Sequence, residues 1–208
     1  MLITEKQKRA YPAHAHTPLK TRPLDLLYFL FFAMHLPATL LIDLQYIYPT
    51  QLVPNILKSL VSFYVDMSRD PLIGGINGFF FKDDNTHMTW FKTFIVLEAV
   101  FQVPVFVLGL RGLYKGSKSI YPLLAVYAAS SATTTLACLT TVLTTPELTP
   151  ELLARGAVAV SDSQRFLLLS SYVPFFLIPL IMAVDMTTRV TRLVKKGVAS
   201  EEESKKWN

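Results

Sequence analysis

The sequence predicts an all-α membrane protein, a four-transmembrane-helix bundle with a short luminal amphipathic helix. Three observations carry that prediction. Of the 208 residues, 51% are hydrophobic and only 17% are charged, with a mean hydropathy of +0.38. That leaves too little polar surface to cover a soluble globule, and too much apolar surface for a disordered chain. Four apolar stretches, at 24–42, 90–110, 120–143 and 166–184, are each long enough to cross a hydrocarbon core, which takes about 20 helical residues. The basic residues behind the formal net charge of +5 crowd at the ends of those stretches, so they mark membrane borders and give no sign of a nucleic-acid partner.

Taken in order, residues 1–23 form a basic cytoplasmic tail with Lys6, Lys8, Arg9, Lys20 and Arg22. The first stretch has the length of a retained helix and lacks the small-residue cleavage site of a signal peptide. In the long connection that follows, Ile56, Leu60, Phe63, Tyr64 and Met67 recur at helical spacing between Pro54 and Met67, which predicts an amphipathic helix lying over the bundle. Gly74, Gly75, Asn77 and Gly78, then Lys82, Asp83, Asp84 and Asn85, predict a mobile excursion. The stretch 144–164, with Pro146 and Pro150, predicts a second luminal loop. The membrane domain thus covers 24–186, and 187–208 form a basic C-terminal tail. Five Lys and Arg precede the first span, three lie between the second and third and six follow the fourth, fourteen in all against six elsewhere. Both termini are therefore expected on the cytoplasmic side. Tyr46, Tyr48, Trp90, Tyr114 and Tyr121 fit an interfacial belt. The single cysteine, Cys138, lies within the third span and excludes an intrachain disulfide.

Polar groups within the spans are the informative ones, because a charge at mid-bilayer costs at least about 2.5 kcal/mol. Glu98 lies well inside the second span, with Gln102 at i+4 on the same helical face. A carboxyl so placed is expected to keep its proton and donate a hydrogen bond; the alternative is that Glu98 and Gln102 only join neighbouring helices. Asp43 ends the first span, and His35 lies eight residues earlier, about 80° around the helix, so the two can line one broad face. An ordinary interfacial aspartate and a packed histidine are the plain readings of the same residues. Asp25 and Asp185, near the cytoplasmic ends, are expected to reach the interface. Pro37, Pro104, Pro174 and Pro179 bend helices and can open a cavity between them. Tyr172, Phe175 and the run Thr133, Thr134, Thr135 would supply its apolar wall with a few polar points.

These residues resemble the EXPERA-domain proteins, and within them the sigma-2 receptor group. The matching segments are Met34-His35-Leu36-Pro37, Ile42-Asp43-Leu44-Gln45, Arg69-Asp70-Pro71-Leu72, Trp90-Phe91-Lys92, Leu97-Glu98-Ala99-Val100-Phe101-Gln102-Val103-Pro104, and Ser171-Tyr172-Val173-Pro174-Phe175 with Ile178-Pro179. The resemblance implies a four-helix bundle with an occluded pocket opening to the bilayer, often paired as a homodimer. It implies binding of sterols and of cationic amphiphilic molecules. The position of Asp43 would pair with the ligand amine, that of Glu98 would support it, and that of Asp70 would hold the luminal segment. Gln102, Thr135, Tyr172 and Phe175 would line the pocket. The luminal insert around Gly74 to Thr86 and the basic N-terminus are longer here than in the pattern, and Phe175 replaces a tyrosine that relatives can carry.

The resemblance leaves three functions open: a non-enzymatic sterol-binding receptor, a Δ8–Δ7 sterol isomerase, and a targeting or quality-control factor of the endoplasmic reticulum. The isomerase would need a tryptophan or similar face to stabilise a cation, and neither Trp90 nor Trp207 lies mid-membrane. No phosphate loop, CxxC pair, HExxH or GxSxG motif occurs, so the sequence calls for no cofactor and no metal. Lys205 and Lys206 stand fourth and third from the end of the sequence, the spacing of a dilysine retrieval signal to the endoplasmic reticulum membrane.

Overall fold

The computed structural model describes residues 17–80 and 86–206. Lys6, Lys8, Arg9, the insert positions Lys82 to Asn85 and the terminal Trp207 and Asn208 lie outside the described residues. The first crossing helix, α1 (Pro23–Leu41), begins on a proline, whose missing N–H falls where no helical partner exists. A single 3₁₀ turn, Asp43–Tyr46, leads away from it. Two short helices follow, α2 (Asn55–Ser68) and α3 (Pro71–Ile76). The second crossing is α4 (Thr89–Leu97), a π turn at Glu98–Gln102, and α5 (Val103–Lys115). Helix α6 (Tyr121–Thr144) is the third crossing, α7 (Pro150–Ala154) caps its far end, and α8 (Asp162–Lys206) is the fourth. Four helices are thus long and apolar enough to cross a membrane.

The main core lies where α1, α5, α6 and α8 meet, around Tyr28, Phe32, Phe106, Tyr127 and Met182. Gly109 makes that meeting close: a Cβ there would sit 2.6 Å from the Phe32 ring. The outer faces carry Leu30, Met34, Val100, Val107, Val126 and Val184, all exposed. Such a surface would be anomalous in water and is what hydrocarbon chains cover in a bilayer.

Helix α2 lies where the amphipathic pattern predicts it, but it turns a different edge inward. Val61, Val65 and Ser68 are buried, while Ile56, Phe63 and Met67 are exposed and Tyr64 is half-buried. Leu72 and Ile73 of α3 pack against the Val61 and Val65 side, so that side wins and the larger residues face outward along the interface. The predicted excursion is helical and packed at its start. All six residues of α3 are buried, and Gly74 is there because the Phe80 ring lies where its Cβ would be. Gly74, read as loop punctuation, is a packing residue, whereas Gly78, at φ 78° with open space around it, is the turn glycine the sequence suggests.

The helix that carries the fourth crossing continues past the predicted span, through the basic C-terminal segment. Helix α8 has 45 residues, about 65 Å, roughly twice the hydrocarbon thickness. Near where it leaves the membrane, Asp25 and Asp185 do not simply reach the interface. Asp25, only 2% exposed, is bound by Arg22 and by Arg189 at 2.6 Å. Arg189 also pairs with Asp185 at 2.8 Å, and the Tyr28 hydroxyl donates to Asp185 at 3.2 Å. Arg22 further donates to the Leu113 carbonyl at 2.8 Å, satisfying a late carbonyl of α5. At the opposite end Arg165 does the same for α6, donating to the carbonyls of Val142, Leu143 and Thr145.

Candidate functional site

The π turn sets the site. Pro104 has no N–H for the Val100 carbonyl, and its ring displaces the preceding turn. The ladder slips by one residue, so that the Val103 N–H bonds to the Glu98 carbonyl. That wider turn presents Glu98 and Gln102 together to the bundle interior, where both line one cavity.

The cavity has a volume of about 260 Å³ and lies between α1, α2, α3, α4, the π turn, α6 and α8. His35, Asp43, Glu98, Gln102, Thr135, Tyr172 and Phe175, drawn from four separate stretches of sequence, all line it. Thr134 joins them, whereas Thr133 is exposed and its hydroxyl donates to Ala129 of its own helix. At about 100° per residue, three successive threonines cannot share a narrow face.

Asp43 is placed by the end of α1: the helix stops at Leu41, and the 3₁₀ turn swings the carboxyl inward. One ligand atom each of His35, Asp43 and Glu98 lies within 4.8 Å of the others. His35 Nε2 is 3.6 Å from Glu98 Oε1, and the Thr39 hydroxyl donates to that same oxygen at 2.7 Å. Three aromatic rings fix the imidazole, with centroids at 4.5 Å for Phe175, 4.8 Å for Phe106 and 5.2 Å for Phe31. Phe175 therefore works through ring packing on His35. No lysine or arginine lines the cavity among the described residues; the other walls are largely apolar, with Ile42, Ile73, Phe91, Phe94 and Ile95, and carry the hydroxyls of Tyr64, Ser131 and Ser171.

Asp70 lies behind the cavity wall and is fully buried. Its Oδ1 caps α3, accepting from the N–H of Leu72 at 2.8 Å and of Ile73 at 3.1 Å. Its Oδ2 accepts from the hydroxyls of Tyr64 at 2.7 Å and Tyr172 at 2.9 Å. Burial pushes this carboxyl above its ordinary range, and the four donated hydrogen bonds oppose the shift. Asp70 thus orients two tyrosines that line the cavity. Its neighbour Arg69 takes a left-handed backbone, φ 50°, and donates to the carbonyls of Ala159 and Ala157, tying the α7–α8 connection to α2. Lys205 and Lys206 are exposed at the end of α8, far along the chain from this site.

Sequence reasoning missed Thr39, Tyr64 and Ser131. Thr39 had a signal, since it stands four residues from both His35 and Asp43 and so lies between them on one helical face. Tyr64 and Ser131 had none, because their approach depends on how α2 and α6 pack.

A match to the family described as EXPERA (EXPanded EBP superfamily) covers residues 56–186. The chain belongs to the EXPERA family. Relatives include the sigma intracellular receptor 2 of Homo sapiens, 31% identical over 170 residues, which are 81% of this chain and 90% of that protein. The protein of the same name from Xenopus tropicalis is 30% identical over 166 residues, 79% of this chain and 88% of its own. The efficient mitochondria targeting-associated protein 19 of Schizosaccharomyces pombe is 26% identical over 204 residues, 95% of this chain and 96% of its own. In this EXPERA chain the family match contains Asp70, Glu98, Gln102, Thr135, Tyr172 and Phe175 and begins after His35 and Asp43.

Proposed function

We propose that this EXPERA membrane protein is a non-enzymatic receptor that binds cationic amphiphilic molecules, and sterols, in the cavity between its helices, and so regulates sterol homeostasis or trafficking. The observation that carries the reading is a carboxyl pair, Asp43 and Glu98, facing an apolar cavity that no lysine or arginine lines among the described residues. Two neighbouring carboxyls in such surroundings do not both ionise: one keeps its proton and can donate a hydrogen bond to the other. Asp43 serves as the anion and Glu98 as its neutral support. An ammonium about 4 Å from the anion gains on the order of 4 kcal/mol at an effective dielectric of 20, before desolvation. At about 260 Å³ the cavity suits the amine head and an adjacent ring, with the rest of an amphiphile extending towards the bilayer. A sterol would gain from apolar contact and a hydrogen bond to its hydroxyl. The name of the sigma intracellular receptor 2 relatives supports a receptor.

Direct binding to the purified protein tests this. Asp43→Asn is expected to weaken a cationic amphiphilic amine by about 100-fold, the larger part of that charge interaction, while sparing sterol binding. Equal amine affinity in the two proteins would remove the site.

The proposed residence is the endoplasmic reticulum membrane, with both termini cytoplasmic by the charge asymmetry. Lys205 and Lys206 would serve there as the retrieval signal. Replacing both with serine is expected to release the protein to later compartments, and unchanged reticular localisation would exclude the signal. A second reading, a targeting factor, is favoured by the Schizosaccharomyces pombe relative, whose name refers to mitochondria targeting and whose match spans 95% of this chain.

A further inference from the structure

The three residues that could receive an amine also form a ligand set of another kind. His35 and Asp43 come from the first crossing and its terminal turn, and Glu98 comes from the π turn of the second. One imidazole nitrogen and two carboxylate oxygens converge within 4.8 Å, inside apolar walls. We propose that His35, Asp43 and Glu98 form a divalent transition-metal site, of the Zn²⁺ class, whose occupant competes with the amine. This rests on the cavity reading above and adds a second occupant to it.

Charge favours such a cation. A dication balances both carboxylates at once, whereas an ammonium balances one and needs a proton retained on the other. Ligand type selects the class of metal. Imidazole with carboxylate suits Zn²⁺ and its neighbours, while Ca²⁺ and Mg²⁺ require six or more oxygens and these walls are largely hydrocarbon. The geometry is close to what is required. Around a tetrahedral zinc with bonds of about 2.0–2.2 Å, neighbouring ligand atoms stand about 3.4 Å apart. His35 Nε2 and Glu98 Oε1 are already 3.6 Å apart, so the remaining closure is of the order of 1 Å and falls on Asp43, at the head of its single turn. The fourth position opens to the cavity, where a water or a ligand atom completes the set.

Two further observations point the same way. The partners that hold metal ligands in place are present: the Thr39 hydroxyl fixes Glu98 Oε1, and the rings of Phe31, Phe106 and Phe175 fix the imidazole plane. The imidazole itself makes no hydrogen bond among the described residues. Its Nδ1 is buried without a partner, and its Nε2 at 3.6 Å from Glu98 is beyond hydrogen-bond length. Nε2 is therefore free to give its lone pair to a metal, Nδ1 then carrying the N–H, which keeps no acceptor among the described residues. The set is invisible in the sequence because its members stand at 35, 43 and 98, with none of the spacings of a metal motif.

The full chain, purified in detergent, tests the proposal with Co²⁺ as a coloured substitute for Zn²⁺. One equivalent of Co²⁺ is expected to give the visible bands of a tetrahedral site, which Zn²⁺ and a cationic amphiphilic amine each abolish and Mg²⁺ does not. His35→Gln and Asp43→Asn are each expected to weaken the metal by about 100-fold or more, since even the loss of a supporting partner costs 10–100-fold. Because His35 packs against three rings, thermal unfolding is read in parallel: Zn²⁺ should raise the melting temperature of the wild type and not that of His35→Gln. Bands unchanged in both variants would place the metal elsewhere and overturn the proposal. Wild type that binds the amine but gives no bands also overturns it and leaves the amine cavity standing. Metal bound with no amine affinity keeps the metal site and overturns the amine reading.

Discussion

Two pairs of acids, buried or half-buried, lie at opposite depths of this bundle, and they are kept in opposite ways. Asp25 and Asp185 share Arg189, with Arg22 and the Tyr28 hydroxyl completing the set. Asp43 and Glu98 have a histidine, a threonine hydroxyl and hydrocarbon around them, and no lysine or arginine lines their cavity among the described residues. A carboxylate needed for architecture brings its counter-ion in the same chain, since the fold must neutralise it on every molecule. A carboxyl meant for a visiting cation cannot have a resident one, because the ligand would then gain nothing. The first pair joins α1 to α8; the second lines a cavity that the same helices enclose.

The largest effect should come from breaking the first pair. Arg189→Gln leaves Asp25 and Asp185 short of a cation and should lower stability by about 4 kcal/mol, read as a fall in the denaturation midpoint in detergent. Amine affinity of the folded fraction should not change. Asp43→Asn should do the reverse, removing amine binding while leaving the midpoint unchanged or higher, because a neutral isostere relieves an unpaired buried acid. If Arg189→Gln weakened the amine as much as Asp43→Asn does, the distinction between structural and waiting charges would be wrong.

This difference also explains what the sequence shows and what it hides. The four crossings, α2 and the shared face of Glu98 and Gln102 are legible because hydrophobic runs and helical periodicity are local, whereas the approach of Asp43 to Glu98 is expected only from the family resemblance. His35 and Thr39 share a face of α1 for the same reason, and Thr39 could have been read from that spacing, whereas Asp43 reaches them through the turn that ends the helix. Tertiary facts are not legible in this way. Asp25 and Asp185 look like interfacial acids until α8 is seen to bring Arg189 between them. Gly74 looks like a loop residue until Phe80 folds onto it. The choice of the Val61 and Val65 edge of α2 follows from α3, which a periodic count does not contain.

Asp70 is a third way of keeping an acid, with donors in place of a cation. Asp70→Ala removes the cap of α3 and the acceptor shared by Tyr64 and Tyr172. A lost cap costs about 1 kcal/mol, and two hydroxyls left without an acceptor cost about 1 each when they can turn towards the cavity. Stability should fall by about 3 kcal/mol. Asp70→Asn, which keeps one oxygen to cap α3 but turns an amide towards the two tyrosine hydroxyls, so that they must rotate to accept from it, should lose about 2 kcal/mol. Amine affinity should follow stability only weakly, because both tyrosines keep their rings in the wall. A loss of amine binding in Asp70→Asn as large as in Asp43→Asn would make Asp70 part of the ligand's charge site and remove the boundary drawn between the two.

The smallest effect concerns Glu98, and it separates a supporting carboxyl from a reacting one. Glutamine keeps an oxygen to accept from Thr39 and an amide to donate to Asp43, so Glu98→Gln should weaken the amine by less than about 1 kcal/mol, or fivefold. Alanine removes both and leaves Thr39, which is fully buried, without its acceptor; the loss should be about 2 kcal/mol, or thirtyfold. A sterol isomerase would invert that order of importance. Protonating a ring alkene requires an acid that gives up its proton, and an amide cannot do so at any useful rate, whatever hydrogen bonds it preserves. A Δ8-sterol incubated with the wild type should therefore be recovered unchanged. Turnover by the wild type that Glu98→Gln abolishes would show Glu98 to be a general acid, and the cavity carboxyls would then have to be counted as reactants and not as the seat of a bound cation.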